Sequence, residues 1–166
     1  MVADTGSSLP FMDGSVHFLR AFNHLEHLPD VVVVMEEIHR VLAPDGTAEI
    51  TVPHFSNTQY YSDPTHVRPF GLYSFDYFVE PAHQRGKRKV RPFYSKCRFT
   101  IVEKRLNFNA PAALKALRPV HRLAGWFFNL SPRVQEIYEA LFCGIVGCRT
   151  IRVVVRPVKR GATPPT

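Results

Sequence analysis

The chain has 166 residues, a hydrophobic fraction of 45% and a formal net charge of +7. This length suits one globular domain better than two, and the positive charge favours anionic partners. The three cysteines form no CxxC pair, so we expect a reducing, cytoplasmic environment rather than a disulfide-linked secreted scaffold. No apolar run reaches the roughly 18 residues of a membrane span, so a transmembrane helix is not expected.

Residues 9–53 predict one βαβ unit, and a strand that ends at Asp4 is expected before it. The alternation of apolar and polar residues over 15–22 predicts the first strand of the unit. A polar segment, residues 23–27, follows at the carboxyl end of that strand. Ligands of open α/β sheets bind at this end of the strands.

The second half of the unit begins at Asp30, a favourable N-cap residue. Apolar residues recur at helical spacing over 31–42, which predicts a helix although four consecutive valines favour a strand locally. The Ala-Pro-Asp-Gly sequence of residues 43–46 should end this helix with left-handed backbone. A nearly continuous apolar run then predicts a central strand over residues 47–53.

The rest of the chain predicts loops, short helices and two further strands. In chain order they are a loop over 54–68, an aromatic helix over 70–78, a basic loop over 81–97, a strand over 98–107, three short helices over 111–117, 120–128 and 132–142, and a strand over 149–155. The tail, residues 158–166, is expected to be disordered. The first of these loops is long enough that a functional role is expected.

Several sequence blocks resemble those of one family when they are taken in order. They are LPFMDGSVHF, HLEHLPD, EEIHRVLAPDGTAEITVPH and YYSDPTHVRPFGLYSFDYF. Together they resemble the second half of a class I methyltransferase that uses S-adenosylmethionine, of the methyltransferase type 11 family. The resemblance implies an α/β fold with a Rossmann-like methyltransferase sheet, N-terminally truncated, with flanking helices. Residues 1–157 would form this partial domain, with the basic loop 81–97 and a helical insertion over 110–147 before the last strand.

The chain departs from the family pattern in three respects. The glycine-rich loop is absent, and so is the acidic residue that binds the ribose. His17 stands where the family usually has Asp, and Asp45 replaces the first glycine of a Pro-Gly-Gly turn. We therefore expect half of a cofactor site, with S-adenosylmethionine bound weakly or not at all by this chain alone. The chain could be a fragment of a longer enzyme, a subunit that pairs to cover an exposed strand edge, or a scaffold that has lost its cofactor.

The resemblance also implies site residues at the ends of the strands. They are Asp4, Thr5, Phe22, Asn23 and His24 for the cofactor, His54 and His66 as bases, and Tyr60, Tyr61 and Arg68 for the substrate pocket. Histidine suits the removal of a proton from the acceptor because it titrates near neutral pH. The alternative for the DPTHVRPF segment is a packed lid in which His66 hydrogen-bonds backbone groups.

The expected reaction is methyl transfer to an oxygen or nitrogen atom of a small molecule. This is an in-line displacement, so positioning should contribute much of the rate. The basic side chains of residues 85–91 could bind an anionic acceptor or nucleic acid, but a solvated loop is the simpler interpretation and nucleic acid is not expected. The alternative function is a non-catalytic module that dimerises on a degenerate methyltransferase scaffold.

A metal site is the last possibility to weigh. The donor types of a two-histidine, one-carboxylate site are present in His24, Glu26, His27, His54, Asp63 and His66. No pair of them has HExxH spacing, so we assign no metal ligand, and a metal-dependent hydrolase stays the weaker alternative. Glu26 and His27 are instead expected to hydrogen-bond loop backbone.

Overall fold

The computed structural model describes residues 8–110 and 112–159, which are arranged around a four-stranded sheet. The strands are β1 (Val16–Phe22), β2 (Leu42–Pro53), β3 (Phe99–Asn107) and β4 (Thr150–Pro157), in the spatial order β1-β2-β4-β3. β1 and β2 are parallel, and β4 is antiparallel to both β2 and β3. β1, β2 and β3 therefore point in one direction, and their carboxyl ends lie at the same edge of the sheet.

Three α-helices accompany the sheet within the described ranges. α1 (Val31–Val41) connects β1 to β2, and α2 (Arg118–Phe127) and α3 (Pro132–Ile137) lie between β3 and β4. α3 continues as a π-helical turn, Tyr138–Phe142, and short 3₁₀ turns occupy Leu25–His27, Thr58–Ser62, Asp76–Phe78, Pro81–His83 and Ala112–Leu117. This order confirms the helical insertion before the last strand. No helix in these ranges is long and apolar enough to cross a membrane.

The cap and the apolar spacing of α1 explain why its valines form a helix. The Asp30 carboxylate accepts hydrogen bonds from the backbone N–H groups of Val32 and Val33 at 2.9 and 3.2 Å, which satisfies two of the free donors of the first turn. Met35 and Ile38 are buried, and they continue one apolar stripe along the helix. The predicted helix and its N-cap are confirmed.

The connection from α1 to β2 differs from the prediction. The register moves from Val16 opposite Leu42 to Phe18 opposite Thr47, so the extra residues between them bulge out of the strand. Within the described chain, positive φ is found only at Gly14 and Asn23, and the expectation of left-handed backbone at residues 45–46 was wrong. Gly46 is needed for a different reason: a Cβ there would lie 2.7 Å from the backbone oxygen of Val16.

The two faces of the sheet differ in chemistry. One face carries the apolar core, in which Ile50, Ile151 and Val153 are fully buried. The opposite face carries a ladder of charges. Arg20 of β1 lies 3.1 Å from Glu49 of β2. Arg152 of β4 lies 2.6 Å from both Glu49 and Glu103 of β3.

Other predicted elements fall into three groups. The strands over 15–22 and 98–107 are confirmed, and β4 extends two residues beyond its predicted end. The prediction of an aromatic helix over residues 70–78 was wrong, because the helical structure described there is limited to the 3₁₀ turn Asp76–Phe78. Its aromatic residues Phe70 and Phe75 are buried and stack on each other, and packing into the core decides their conformation instead of helical periodicity. The strand expected at residues 2–4 and the tail from residue 160 lie outside the described residues.

Candidate functional site

The backbone changes conformation where β1 ends. Phe22 is 60% exposed, and the next residue, Asn23, has a φ of 46°. Its N–H donates a hydrogen bond to the backbone oxygen of Thr51 in β2 at 2.9 Å. Asn tolerates left-handed backbone better than most residues, and such positions are concentrated at functional sites. β1 thus ends in a specific turn that is hydrogen-bonded to β2.

A cleft of about 790 Å³ opens over the charged face of the sheet beside this turn. Phe22 and Asn23 line it at one end, and Arg105, Trp126 and Arg149 line it elsewhere. The cleft therefore combines exposed aromatic surface with guanidinium groups, which suits a flat, anionic ligand. Of the five residues expected to contact the cofactor, these two line the cleft, His24 is not among its lining residues, and Asp4 and Thr5 lie outside the described residues.

The loop after β2 folds back onto the 3₁₀ turn after β1. The N–H of Val67 donates to the backbone oxygen of Glu26 at 2.9 Å. The guanidinium of Arg68 donates to the backbone oxygens of Leu28 (3.3 Å) and Pro29. Arg68, which was expected to line a substrate pocket, instead holds the segment that leads into α1. The two sequence blocks HLEHLPD and DPTHVR thus bind each other.

This contact brings together Glu26, His27 and His66, which we call the Glu26 cluster. One ligand atom of each residue lies within 4.8 Å of the corresponding atoms of the other two. The centroids of the two imidazole rings are 4.7 Å apart. Nδ1 of His27 lies 2.8 Å from Oγ1 of Thr65, which in turn donates to Asp63 at 2.6 Å. Asp63 also lies 3.7 Å from Nε2 of His66.

Glu26 is the unusual member of this cluster. The residue is fully buried, and neither carboxylate oxygen has a hydrogen-bond partner within the described part of the chain. Burial raises the pKa of this carboxyl, and the adjacent backbone N–H of Glu26 and the nearby histidines oppose the shift. Buried polar groups in native proteins nearly always have partners. The expected hydrogen bond between Glu26 and the loop backbone is present, but it is made by the backbone oxygen of Glu26, which accepts from Val67.

His54 belongs to a second cluster, the His54 network of His54, Ser56, Tyr138 and Glu139. Nδ1 of the fully buried His54 ring accepts the N–H of Ser56 at 3.0 Å, so Nε2 carries the proton and donates to Glu139 at 3.2 Å. Glu139 also accepts the N–H of Leu72 at 2.6 Å. The Tyr138 hydroxyl lies 3.2 Å from that of Ser56. Both ring nitrogens of His54 are therefore engaged, and the ring is shielded from solvent.

The two expected bases thus lie in different environments. Nδ1 of His66 lies 2.9 Å from the backbone oxygen of Tyr60, so it carries the proton, and Nε2 keeps a lone pair. This bond is the one that the packed-lid alternative requires. The ring also stacks on the buried Tyr60 at 4.9 Å, whereas Tyr61 is 72% exposed. Of Tyr60 and Tyr61, only Tyr61 exposes its ring at the surface, where a ligand could contact it.

The partners of His54 were missed from the sequence. Tyr138 and Glu139 lie more than 80 residues after His54, in the helical insertion. The periodicity of the insertion predicted helices, but it contains no information on which strand end they contact. The available signal was weak: a tyrosine and a glutamate stand between apolar residues in the sequence EIYEALF.

The basic loop is largely occupied by contacts with the rest of the chain. The Arg85 guanidinium donates to the backbone oxygen of Val102 at 3.1 Å, and the Arg88 guanidinium lies 5.1 Å from the Tyr73 ring centroid. Arg85 also borders a second cavity, of about 470 Å³, in which Lys104 pairs with the buried Asp76. Neither of these guanidinium contacts is with a carboxylate, so both guanidinium groups keep their positive charge.

Comparisons with known proteins agree with this architecture. Residues 1–50 match the model of a family described as a methyltransferase domain, which agrees with the resemblance noted for the first sequence blocks. No curated protein sequence matches the chain significantly.

Solved structures show the fold over most of the chain. The YcgJ protein of Bacillus subtilis is 18% identical with a TM-score of 0.50, and the match covers 93% of this chain and 68% of that one. A chain in the complex of the Haloferax volcanii methyltransferase activator Trm112 with a methyltransferase is 14% identical, with a TM-score of 0.50 and coverages of 92% and 58%. An S-adenosylmethionine-dependent methyltransferase of Archaeoglobus fulgidus is 13% identical, with a TM-score of 0.47 and coverages of 88% and 61%. The two matches with a TM-score of 0.50 show that the chain has a Rossmann-like methyltransferase fold. The matches span 58–68% of the length of the three solved chains.

Proposed function

We propose that this chain supplies the adenosine side and the acceptor side of an S-adenosylmethionine-dependent methyltransferase site. The acceptor is an oxygen or nitrogen atom of a small molecule. The observation that carries the proposal is the end of β1, where an exposed Phe22 and a left-handed Asn23 lie at the carboxyl edge of a parallel strand pair. This edge lies within the residues that match a methyltransferase domain.

The residues present suit one half of the cofactor. The exposed Phe22 ring offers adenine a stacking surface, and Asn23 adds an amide at the same edge. Asp4 and Thr5 would complete the adenine contacts by family resemblance. The sequence contains no GxGxG to hold the methionine end. The cofactor would supply the methyl group, and this chain alone should bind it weakly.

The acceptor side is proposed for the cleft and the loop after β2. Arg105 and Arg149 line the cleft and favour an anionic acceptor. Tyr61 is the exposed ring of the loop. Of the two histidines expected as bases, His66 retains the unprotonated Nε2. We therefore assign the removal of the proton from the acceptor to His66 and a positioning role to His54.

Calorimetric titration of the full chain with S-adenosylhomocysteine tests the cofactor proposal. The expected dissociation constant is about 1 mM or weaker, which corresponds to no more than about 4 kcal/mol of binding free energy. Phe22→Ala should abolish this residual binding. Phe93→Ala is the matched control, because Phe93 is also an exposed aromatic, at 70%, and lies in the basic loop. Micromolar binding by the chain would contradict the half-site, and equal binding by both variants would contradict the role of Phe22.

The alternative function, a dimerising module, is favoured by one observation. β1 pairs with β2 on one side, and no other described strand pairs with its free edge. Phe18 and Phe22 are 61% and 60% exposed on this strand. A free edge with apolar side chains favours pairing with another chain. Light scattering decides between the proposals: a dimer that Leu19→Pro dissociates supports the module, and a monomer at all concentrations contradicts it.

A further inference from the structure

Each of the three residues of the Glu26 cluster offers the other two a hydrogen-bond acceptor, and none offers a donor. Nδ1 of His27 faces the Thr65 hydroxyl, whose own proton goes to Asp63, so this Nδ1 must be the donor. Nδ1 of His66 faces a backbone oxygen and must donate as well. The nitrogen that each ring leaves available is therefore Nε2, with its lone pair. The third member, the Glu26 carboxylate, also offers only acceptor atoms when it is ionised.

Such an arrangement requires a positive charge. One ring nitrogen of each histidine and one Glu26 oxygen lie within 4.8 Å of one another, and both Glu26 oxygens are buried without a partner among the described residues. A buried, unpaired carboxylate is strongly unfavourable unless a cation or a proton compensates it. One cation between the three atoms would satisfy all of them at once, whereas a proton on Glu26 could satisfy only one neighbour.

The surroundings also resemble those of metal sites. Histidines that bind metals commonly donate their other N–H to a carbonyl, a hydroxyl or a carboxylate, which fixes the tautomer and the orientation of the ring. His66 does so through Tyr60, and His27 does so through Thr65 and Asp63. Asp63, 3.7 Å from Nε2 of His66 and 44% exposed at its side chain, is the nearest further carboxylate on the solvent side.

We propose that Glu26, His27 and His66 bind a divalent transition-metal ion, with Zn²⁺ as the representative species. Two imidazoles and one carboxylate suit Zn²⁺ or Fe²⁺ and disfavour Ca²⁺ and Mg²⁺, which prefer oxygen ligands. The ion ties the 3₁₀ turn after β1 to the loop after β2, at the edge where the acceptor side is proposed. It also occupies the His66 lone pair, so the ion-loaded chain lacks the base assigned above. Ion binding is measured without cofactor, and either proposal can fail alone.

The test is a titration of the chelator-treated full chain with Co²⁺, followed by competition with Zn²⁺. We expect one equivalent of Co²⁺ with visible absorption, displaced by Zn²⁺. Glu26→Gln and His66→Gln should each lower the affinity about 100-fold or more, and Thr65→Ala should lower it by about tenfold through the orientation of His27. His24→Gln is the matched control, because His24 lies in the same turn segment but outside the cluster, and it should bind like the parent chain.

A second measurement keeps the proposal testable if a variant fails to fold. Long-range ¹H–¹⁵N correlation spectra of the parent chain report each imidazole nitrogen, and Zn²⁺ should shift Nε2 of His27 and His66 while both Nδ1 atoms stay protonated. The proposal is overturned if no ion binds, if Glu26→Gln binds as tightly as the parent, or if the shifts fall on other histidines. Retained binding in Glu26→Gln would mean that the carboxyl is simply protonated in the fold.

Discussion

Two clusters at the same edge of the sheet contain the same residue types but differ in whether their polar groups have hydrogen-bond partners. In the His54 network, both ring nitrogens of His54 have hydrogen-bond partners, and the Glu139 carboxylate accepts from His54 and Leu72. In the Glu26 cluster, the carboxylate belongs to a fully buried residue and has no partner among the described residues, whereas the Glu139 side chain is 16% exposed. Satisfied buried networks rigidify a fold, whereas a half-satisfied one marks a position where something else binds. Histidine and glutamate alone therefore do not distinguish a structural network from a binding site.

The largest effect should come from His54→Ala. The substitution leaves a cavity and removes the acceptor of the Ser56 N–H and one donor to Glu139, so we expect a loss of about 3 kcal/mol in the free energy of unfolding. Urea denaturation followed by circular dichroism measures it. His83→Ala, at an exposed position of the Pro81–His83 turn, is the control and should change stability by less than about 0.5 kcal/mol. A loss no larger than the control's would mean that the His54 network is not structural.

The next prediction compares one substitution in both clusters. Glu139→Gln weakens charge-assisted hydrogen bonds from His54 and Leu72, and should lower the free energy of unfolding by about 1 kcal/mol. Glu26→Gln removes a buried charge without a partner, and its amide can donate to a histidine, so stability should rise by about 1 kcal/mol. Both are measured in the presence of a chelator near neutral pH. The same sign for both would contradict the distinction between the clusters.

Tyr138→Phe should have an effect of similar size without a change of charge. Its hydroxyl lies 2.8 Å from the backbone oxygen of Val146 and 3.2 Å from the hydroxyl of Ser56. Loss of this group should cost about 1 kcal/mol, because a buried carbonyl loses its donor while the ring keeps its packing. Thermal denaturation compares it with Tyr61→Phe, in which the hydroxyl of an exposed residue is removed and no change is expected. Equal effects in the two variants would show that the Tyr138 hydroxyl adds nothing to the His54 network.

The smallest effect concerns a carboxylate on the charged face of the sheet. The hydrogen bond from Arg152 lowers the pKa of Glu49 below its usual value of 4.5. An acid with a depressed pKa stabilises the fold above its unfolded-state pKa, and this contribution is lost as the pH falls through the folded-state pKa. Glu49→Gln should therefore reduce stability by less than about 1 kcal/mol at pH 7 and leave it unchanged below the folded-state pKa. A deficit that persists in acid would assign it to packing.

The sequence predicted those features that depend on neighbours in the chain. The Asp30 cap, the apolar stripe of α1 and the order of strands follow from local patterns, and each is present. The aromatic segment before the basic loop failed because core packing, not helical spacing, determines its backbone. The strand-end position of Phe22 and Asn23 was also predictable, because the βαβ pattern fixes which ends of two strands meet.

The sequence identified the residues that could form the candidate site but not how they are grouped. Glu26, His27, His54 and His66 could all be recognised as chemically capable, but their grouping depends on how two loops fold back, about 40 residues apart in sequence. Register and periodicity contain no information about such loops. The burial of Glu26 could not be predicted from the sequence either, because an acidic residue in a polar segment is normally exposed.

The central claim is that the end of β1 is the adenosine side of a methyltransferase site, and amide NMR tests it most directly. In a titration of the ¹⁵N-labelled full chain with S-adenosylhomocysteine, the amide signals of Phe22, Asn23 and His24 should shift first and most strongly. The shifts should still be growing at about 1 mM ligand, as expected for half of a site. Shifts confined to another part of the chain, or saturation at micromolar ligand, would contradict the account.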